Sequence, residues 1–277
     1  MGSSITDMAV DFDGLFRQYF ARHGKVSEDA TEEEIEERTE ELYHGFLHTP
    51  LPELDGRTME EYFSEKNAYM LVEELLDCAR EGIPPTDYLM DAILSSSQGE
   101  EALYEALADT GLSPGEGVAV IGLLMDLESR APLTRYREIL LDEDADAGLS
   151  DAAAEAVIAL GDLETARLIQ DRLPGIMDPE NRRRLGDILS YLPVEGTFEA
   201  LLNLFLDCPD AFYAQCLMRL GDARAVEPLK TAMQAPNLRY GDYLAMRDAA
   251  ESLGAILDVE REFYGDQDYE LMRTMGE

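Results

Sequence analysis

A leucine followed by helix-ending residues returns along this chain at a nearly constant interval, and that interval limits the possible folds more than any other feature. Leu94, Leu127, Leu160, Leu192, Leu220 and Leu253 stand 28 to 33 residues apart. The fullest instance is Leu220-Gly-Asp-Ala-Arg-Ala-Val-Glu-Pro-Leu-Lys-Thr-Ala-Met233. Leu220 closes a helix, Gly221 supplies the left-handed turn after it, and Asp222 caps the next helix. Ala225, Val226, Leu229 and Met233 then return at helical spacing. Pro228 lacks an N–H, so it bends or restarts that helix. Leu160-Gly161-Asp162 repeats the punctuation, and Leu253-Gly254 closes a helix again. A period near thirty with two amphipathic helices per period predicts an α-solenoid. Antiparallel pairs are expected near 88–127, 131–160, 162–192, 196–220 and 223–254.

The same residues carry a family resemblance. Gly221-Asp-Ala-Arg-Ala-Val-Glu-Pro-Leu229 resembles the first helix of a short HEAT-like repeat, the kind also found in bilin-lyase-type proteins. Arg247-Asp-Ala-Ala-Glu-Ser-Leu-Gly254 resembles that repeat's second helix, and Ala152-Ala-Ala-Glu-Ala-Val-Ile-Ala-Leu-Gly-Asp162 resembles it without the arginine. The likeness covers residues 150–257, is fainter over 88–149 and is absent before. It implies an all-α fold, a right-handed α-α superhelix of the HEAT/armadillo-like type. Residues 1–85 are then an irregular helical cap, 86–257 the repeats, and 258–277 an acidic C-terminal helix or tail. Many functions share this scaffold, so the resemblance speaks to fold more than to activity.

Charge narrows the partners. The chain has 59 acidic against 22 basic residues, a net −37. Such a surface repels nucleic acid and anionic lipid, and it excludes the DNA-handling helical-repeat proteins, which need basic grooves. The acidity serves either solubility or a basic protein partner. No apolar run has the length of a membrane span, and the N-terminus lacks a signal peptide's basic and apolar regions. Cys78, Cys208 and Cys216 are odd in number, without CxxC spacing, which points to a reducing compartment and no disulfide framework. The expectation is a cytoplasmic protein with another protein as partner, and no nucleic acid, membrane or cofactor.

In chain order, Phe12, Leu15, Phe16, Tyr19 and Phe20 give one helix an aromatic face, ending near Gly24. The acidic run 28–41 reads as a solvated helix opened by a capping box, Thr31 with Glu34. His44 and His48 share a helical face with Glu40 and Glu41, but Thr49-Pro50 ends the helix and no third histidine or cysteine is near, so a helix end is favoured over a metal site. Thr58 with Glu61 forms a second capping box, before helical patterns at 59–81 and 86–95. Ser113-Pro-Gly-Glu116 combines N-cap, first-position proline and third-position glutamate. Gly115-Glu-Gly117 follows no strand and lacks the lysine and hydroxyl of a phosphate loop.

Two stretches draw chemical interest. Asp142, Asp144 and Asp146 alternate like the first three ligands of a calcium loop, but Gly148 and Glu155 fall one and two residues late. The favoured reading is an acidic turn between helices, with Ser150 or Asp151 capping the second, and no metal. Arg182-Arg-Arg184 is the one basic cluster, near the start of a helix opened by Asp178-Pro179. Either these arginines pair with acidic neighbours, or they form an anion site on the concave face. In HEAT-like pairs the second helix lines that face, here 150–160, 179–192, 210–220 and 242–254. Arg182, Arg183, Arg184, Tyr213, Arg219, Tyr243 and Arg247 are expected exposed there. Arg219 and Arg247 read as structural, which narrows the binding patch to Arg182, Arg183, Arg184 and Tyr213. No histidine follows His48, so the repeats lack the commonest general base and no catalytic residue is assigned. The expected function is a non-catalytic protein–protein interaction scaffold using the concave face. The alternatives are a bilin-lyase-like or carboxylate-based enzyme on the same scaffold, or an acidic module binding a basic protein.

Overall fold

A computed structural model describes residues 10–24, 31–109, 111–257 and 261–275, apart from the side chains of residues 13, 32–34 and 275. Among the described residues the chain is all-α, with no strand; one isolated bridge pairs Leu51 with Arg57. It divides into two compact units, Met1–Arg135 with Asp146–Ala152, and Tyr136–Ala145 with Ala153–Glu277. That division falls inside the stretch expected to form one repeat array.

The first unit begins with α1 (Phe12–His23), capped by Asp11, whose carboxylate accepts from the Gly14 N–H, and ended at Gly24. The helix α2 (Glu32–Leu47) packs on it through aromatic rings: Phe16 lies 5.1 Å from Tyr43 and 5.4 Å from Phe46 between centroids. The expected capping box of Thr31 with Glu34 falls outside the described side chains, as do the extreme tails outside the described residues. Next come α3 (Met59–Ser64) and α4 (Ala68–Glu81), where one helix was expected over 59–81. Asn67 stops the first and starts the second: its side chain accepts from the Met70 N–H, and its own backbone is extended. The capping box of Thr58 and Glu61 is present.

Then follow α5 (Asp87–Ser95), α6 (Gly99–Ala108) and α7 (Pro114–Asp126), three helices where one antiparallel pair was expected near 88–127. The helix α4 is central, packing against α5, α6 and α7. Ser113 and Glu116 form a further capping box, and Glu116 also accepts from Arg80 of α4 at 2.8 Å, joining the start of α7 to the end of α4. Gly117 permits a close approach, since a Cβ there would meet Leu149 Cδ1 at 2.6 Å.

Helices α8 (Leu133–Leu141) and α9 (Ala147–Ala159) each contribute residues to both units. The second unit continues with α10 (Leu163–Arg172), α11 (Pro179–Tyr191), α12 (Thr197–Asp207), α13 (Ala211–Leu220), α14 (Val226–Ala232), α15 (Tyr240–Ser252) and α16 (Gln267–Met275). Within it α11 packs against α13, and α13 against α15; α10 rests on α11, α12 on both α11 and α13, and α14 on α15. Ile169, Leu185, Ile188, Leu201, Phe205 and Leu217 are fully buried between them. Gly161 and Gly221 take the positive φ that the punctuation required, 62° and 74°. Pro228 stands in the first turn of α14, after a short 3-10 turn at Ala223–Ala225, so the helix restarts where a missing N–H costs nothing. At the C-terminal end, α16 packs on α15. Phe263 is buried against Tyr240 and Tyr243, and Asp266 accepts the Tyr240 N–H at 3.0 Å.

Candidate binding site

Asp178 accepts the Asn181 N–H and Pro179 opens α11, so Arg182, Arg183 and Arg184 follow at the fourth to sixth positions of that helix. All three are half-buried. Cations near a helix N-terminus face the positive end of its dipole, and the neighbours compensate. Arg182 Nη2 donates to Asp207 Oδ2 at 2.8 Å, at the last residue of α12, while its buried Nε has no partner. Arg183 pairs with Asp210, the N-cap of α13, and its guanidinium lies 5.2 Å from the Phe212 ring and 5.7 Å from the Tyr213 ring. Arg184 donates to Asn181 on its own helix.

Asp210 holds this arrangement in place. Its Oδ1 accepts the Tyr213 N–H at 3.0 Å, its Oδ2 receives Arg183, and the Cys208 thiol lies 3.6 Å from that oxygen. The next link is Asp242 of α15, whose Oδ1 accepts the Ala211 N–H at 2.9 Å. The start of α13 is therefore tied to α11 on one side and to α15 on the other.

Tyr213 and Tyr243 depart from the sequence expectation: both are buried, 4% exposed each. Tyr213 lies beneath the arginines, on the strip of α11 that Gly186 leaves open; a Cβ at Gly186 would stand 3.4 Å from the tyrosine ring. Burial pushes the Tyr213 phenol up to about 12, against the opposing charges of Arg183 and Arg182. Tyr213 is thus a buried neighbour of Arg183 and not part of an exposed patch.

The other arginines form a series of similar links. Arg137 donates to Asp162, the N-cap of α10, at 2.9 Å, and to Thr165 and Glu164 of the same turn. Arg219 of α13 donates to Asp187 Oδ1 of α11 at 2.8 Å and lies 3.9 Å from the Tyr191 ring. Arg224 joins Asp222 to Glu199 of α12 and covers the Phe198 ring. Arg247 donates to Glu251 within α15. Most of these links join residues 25 to 32 apart in sequence, close to the leucine period. Asp162 was legible from sequence in the Leu160-Gly161-Asp162 punctuation, but its pairing with Arg137 was not, and Asp207 and Asp210 were not singled out. The available signal was an aspartate at a helix boundary about one period from an arginine.

The acidic turn is built locally. Asp142 Oδ1 accepts the Asp144 N–H at 3.0 Å, and Asp146 Oδ1 accepts the Leu149 N–H at 3.1 Å. Asp146 therefore starts α9, correcting the expected cap at Ser150 or Asp151. Ser150 is instead inside the helix, buried, with an unpartnered hydroxyl. His44 and His48 are exposed, their rings 4.8 Å apart, and His44 lines an open groove with Glu37, Glu40 and Glu41. Among the described residues no group of three or more histidine, cysteine or carboxylate side chains is arranged to hold a metal ion. No helix among them is long and apolar enough to cross a membrane.

Neither a protein-family model nor a curated protein matches this chain.

Proposed function

We propose that the chain is a non-catalytic protein-interaction scaffold: a HEAT-like right-handed superhelix whose second helices line a concave binding face. The row α11–α13–α15, bridged by side-chain links at about the leucine period, supports the repeat reading. The observation that carries the binding reading is the half-buried run Arg182, Arg183 and Arg184, of which Arg182 reaches the end of α12 and Arg183 the start of α13, in a chain of net charge −37. The guanidiniums of Arg182 and Arg183 have five donors each, and the internal pairs engage only some of them. An acidic peptide or free carboxylate adds a second acceptor to a fork already held in position by Asp207 and Asp210.

The pairing decides which variants test this. Arg183→Glu would set a carboxylate against Asp210 and confound binding with folding. Arg182→Gln with Arg184→Gln removes charge and keeps donors. An aspartate- and glutamate-rich peptide should bind the double variant about tenfold more weakly than the parent, with melting temperatures within a few degrees. Equal affinity for both proteins would remove the arginine patch as a binding site.

A further inference from the structure

A second surface, in the first unit, has the opposite preference. Helices α4 and α6 pack together and leave a groove of about 240 Å³ along their seam. From α4, Tyr69, Val72, Glu73 and Leu76 line it, at the i, i+3, i+4, i+7 spacing of one helical face. From α6, Ala102 and Ala106 line it, with Asp109 just past its end, and the two alanines make the groove where longer side chains would fill it. Leu112 closes one end.

The floor is apolar and the rim acidic. Val72, Leu76 and Ala102 are buried along the floor, and Tyr69 at its edge is 42% exposed. Glu73, Glu105 and Asp109 stand along the edges, all exposed. Glu73 has a long 3.5 Å pair with Arg80, and among the described residues no lysine or arginine pairs with Glu105 or Asp109. Burial, then the charges of Glu101 and Glu105, push the Tyr69 phenol up, so the tyrosine itself lies in a field of carboxylates.

We infer that this groove docks a basic amphipathic helix of a partner protein, with apolar side chains one turn apart in the floor and lysines or arginines flanking them on the rim. An apolar helix face needs the floor, and the unpaired carboxylates select cations beside it. An acidic or neutral helix would leave Glu105 and Asp109 desolvated without compensation. This site is independent of the arginine patch, and its success or failure leaves that patch untouched.

The probe is a short fluorescent synthetic peptide of leucine and lysine, with leucines at i, i+3, i+4 and i+7, titrated at physiological salt. Its partner probe has the same composition with the leucines scattered around the helix. Ala106→Trp fills the groove without changing charge, and Glu105→Lys with Asp109→Lys reverses the rim. Either change should weaken the patterned peptide about tenfold. Glu155→Lys with Asp171→Lys makes the same charge change in the second unit and should shift affinity by no more than about twofold. The scattered peptide should bind the parent protein about tenfold more weakly than the patterned one. If Ala106→Trp fails to fold, a photo-crosslinking group at a leucine of the patterned peptide gives the answer on the unaltered protein: adducts on Tyr69, Val72 or Leu112 support the groove. Adducts elsewhere, equal binding of the two peptides, or equal loss in the distant charge variant would overturn it.

Discussion

Asp162 shows what a single side chain carries here. It caps α10 through the Thr165 N–H, receives Arg137, and is 5% exposed. Burial works against its ionised form, but the hydrogen bonds from Thr165 and Arg137 prevail and hold its carboxyl below the usual range. Arg137→Met leaves that charge buried without its cation, at a cost of about 3 kcal/mol near neutral pH. The sign of the pH dependence follows. A folded-state pKa below the unfolded value of about 3.9 means the contribution is complete above that value and is lost as pH falls through the folded one. Urea unfolding should therefore show a constant gap between parent and Arg137→Met above about pH 5, narrowing below about pH 4 as Asp162 protonates. A gap that persists unchanged into stronger acid would show that the ionised pair is not its source.

Among elements, α7 and α9 separate propensity from packing. Three glycines lie in α7, Gly115 in its first turn and Gly117 and Gly122 further along. Gly122 faces open space, whereas a Cβ at Gly117 would press on Leu149. Gly122→Ala should stabilise by about 0.5–1 kcal/mol from helix propensity. Gly117→Ala gains the same propensity but overpacks the contact, and should stabilise less or destabilise. Equal gains in thermal melts would mean that Leu149 yields freely. In α9, Asp146→Ala should cost about 1 kcal/mol through the lost cap. Ser150→Ala removes a buried hydroxyl without a partner and should be neutral or stabilising. If Ser150→Ala is instead the costlier change in denaturant titrations, the start of α9 lies where the sequence alone had put it.

At the scale of the whole molecule, charge dominates. A net −37 on 277 residues repels itself in the folded state. Added sodium chloride should raise the melting temperature steadily through the range where the Debye length falls from about 30 to about 8 Å. A flat or falling profile would mean that local pairs such as Arg137 with Asp162 outweigh the repulsion. The same charge gives the phosphate term the wrong sign, so no binding to unrelated DNA duplexes is expected at physiological salt. Salt-sensitive micromolar binding in a gel-shift titration would contradict this.

The sequence by itself determined the helical class, most helix ends and the register of the punctuation. These depend on residues within one turn of each other: a glycine that accepts positive φ, an aspartate that reaches the third N–H, a proline at a first turn. Many helix ends between 88 and 254 were readable for this reason, from Ser113 and Glu116 through Gly221 and Asp222, but not the start of α9 or the division of 88–127 into three helices. The break at Asn67 was missed because its cap lies within one continuous apolar pattern. The depth of Tyr213, the arginine links across roughly one leucine period and the groove between α4 and α6 were decided by tertiary structure alone. Each depends on which face of one helix meets which face of another. The small residues Ala102 and Ala106 acquire meaning only once Val72 and Leu76 are beside them, and Tyr213 is buried because α13 packs that face against α11. Periodicity places residues on a face, but the neighbour that covers that face is chosen by packing across the chain.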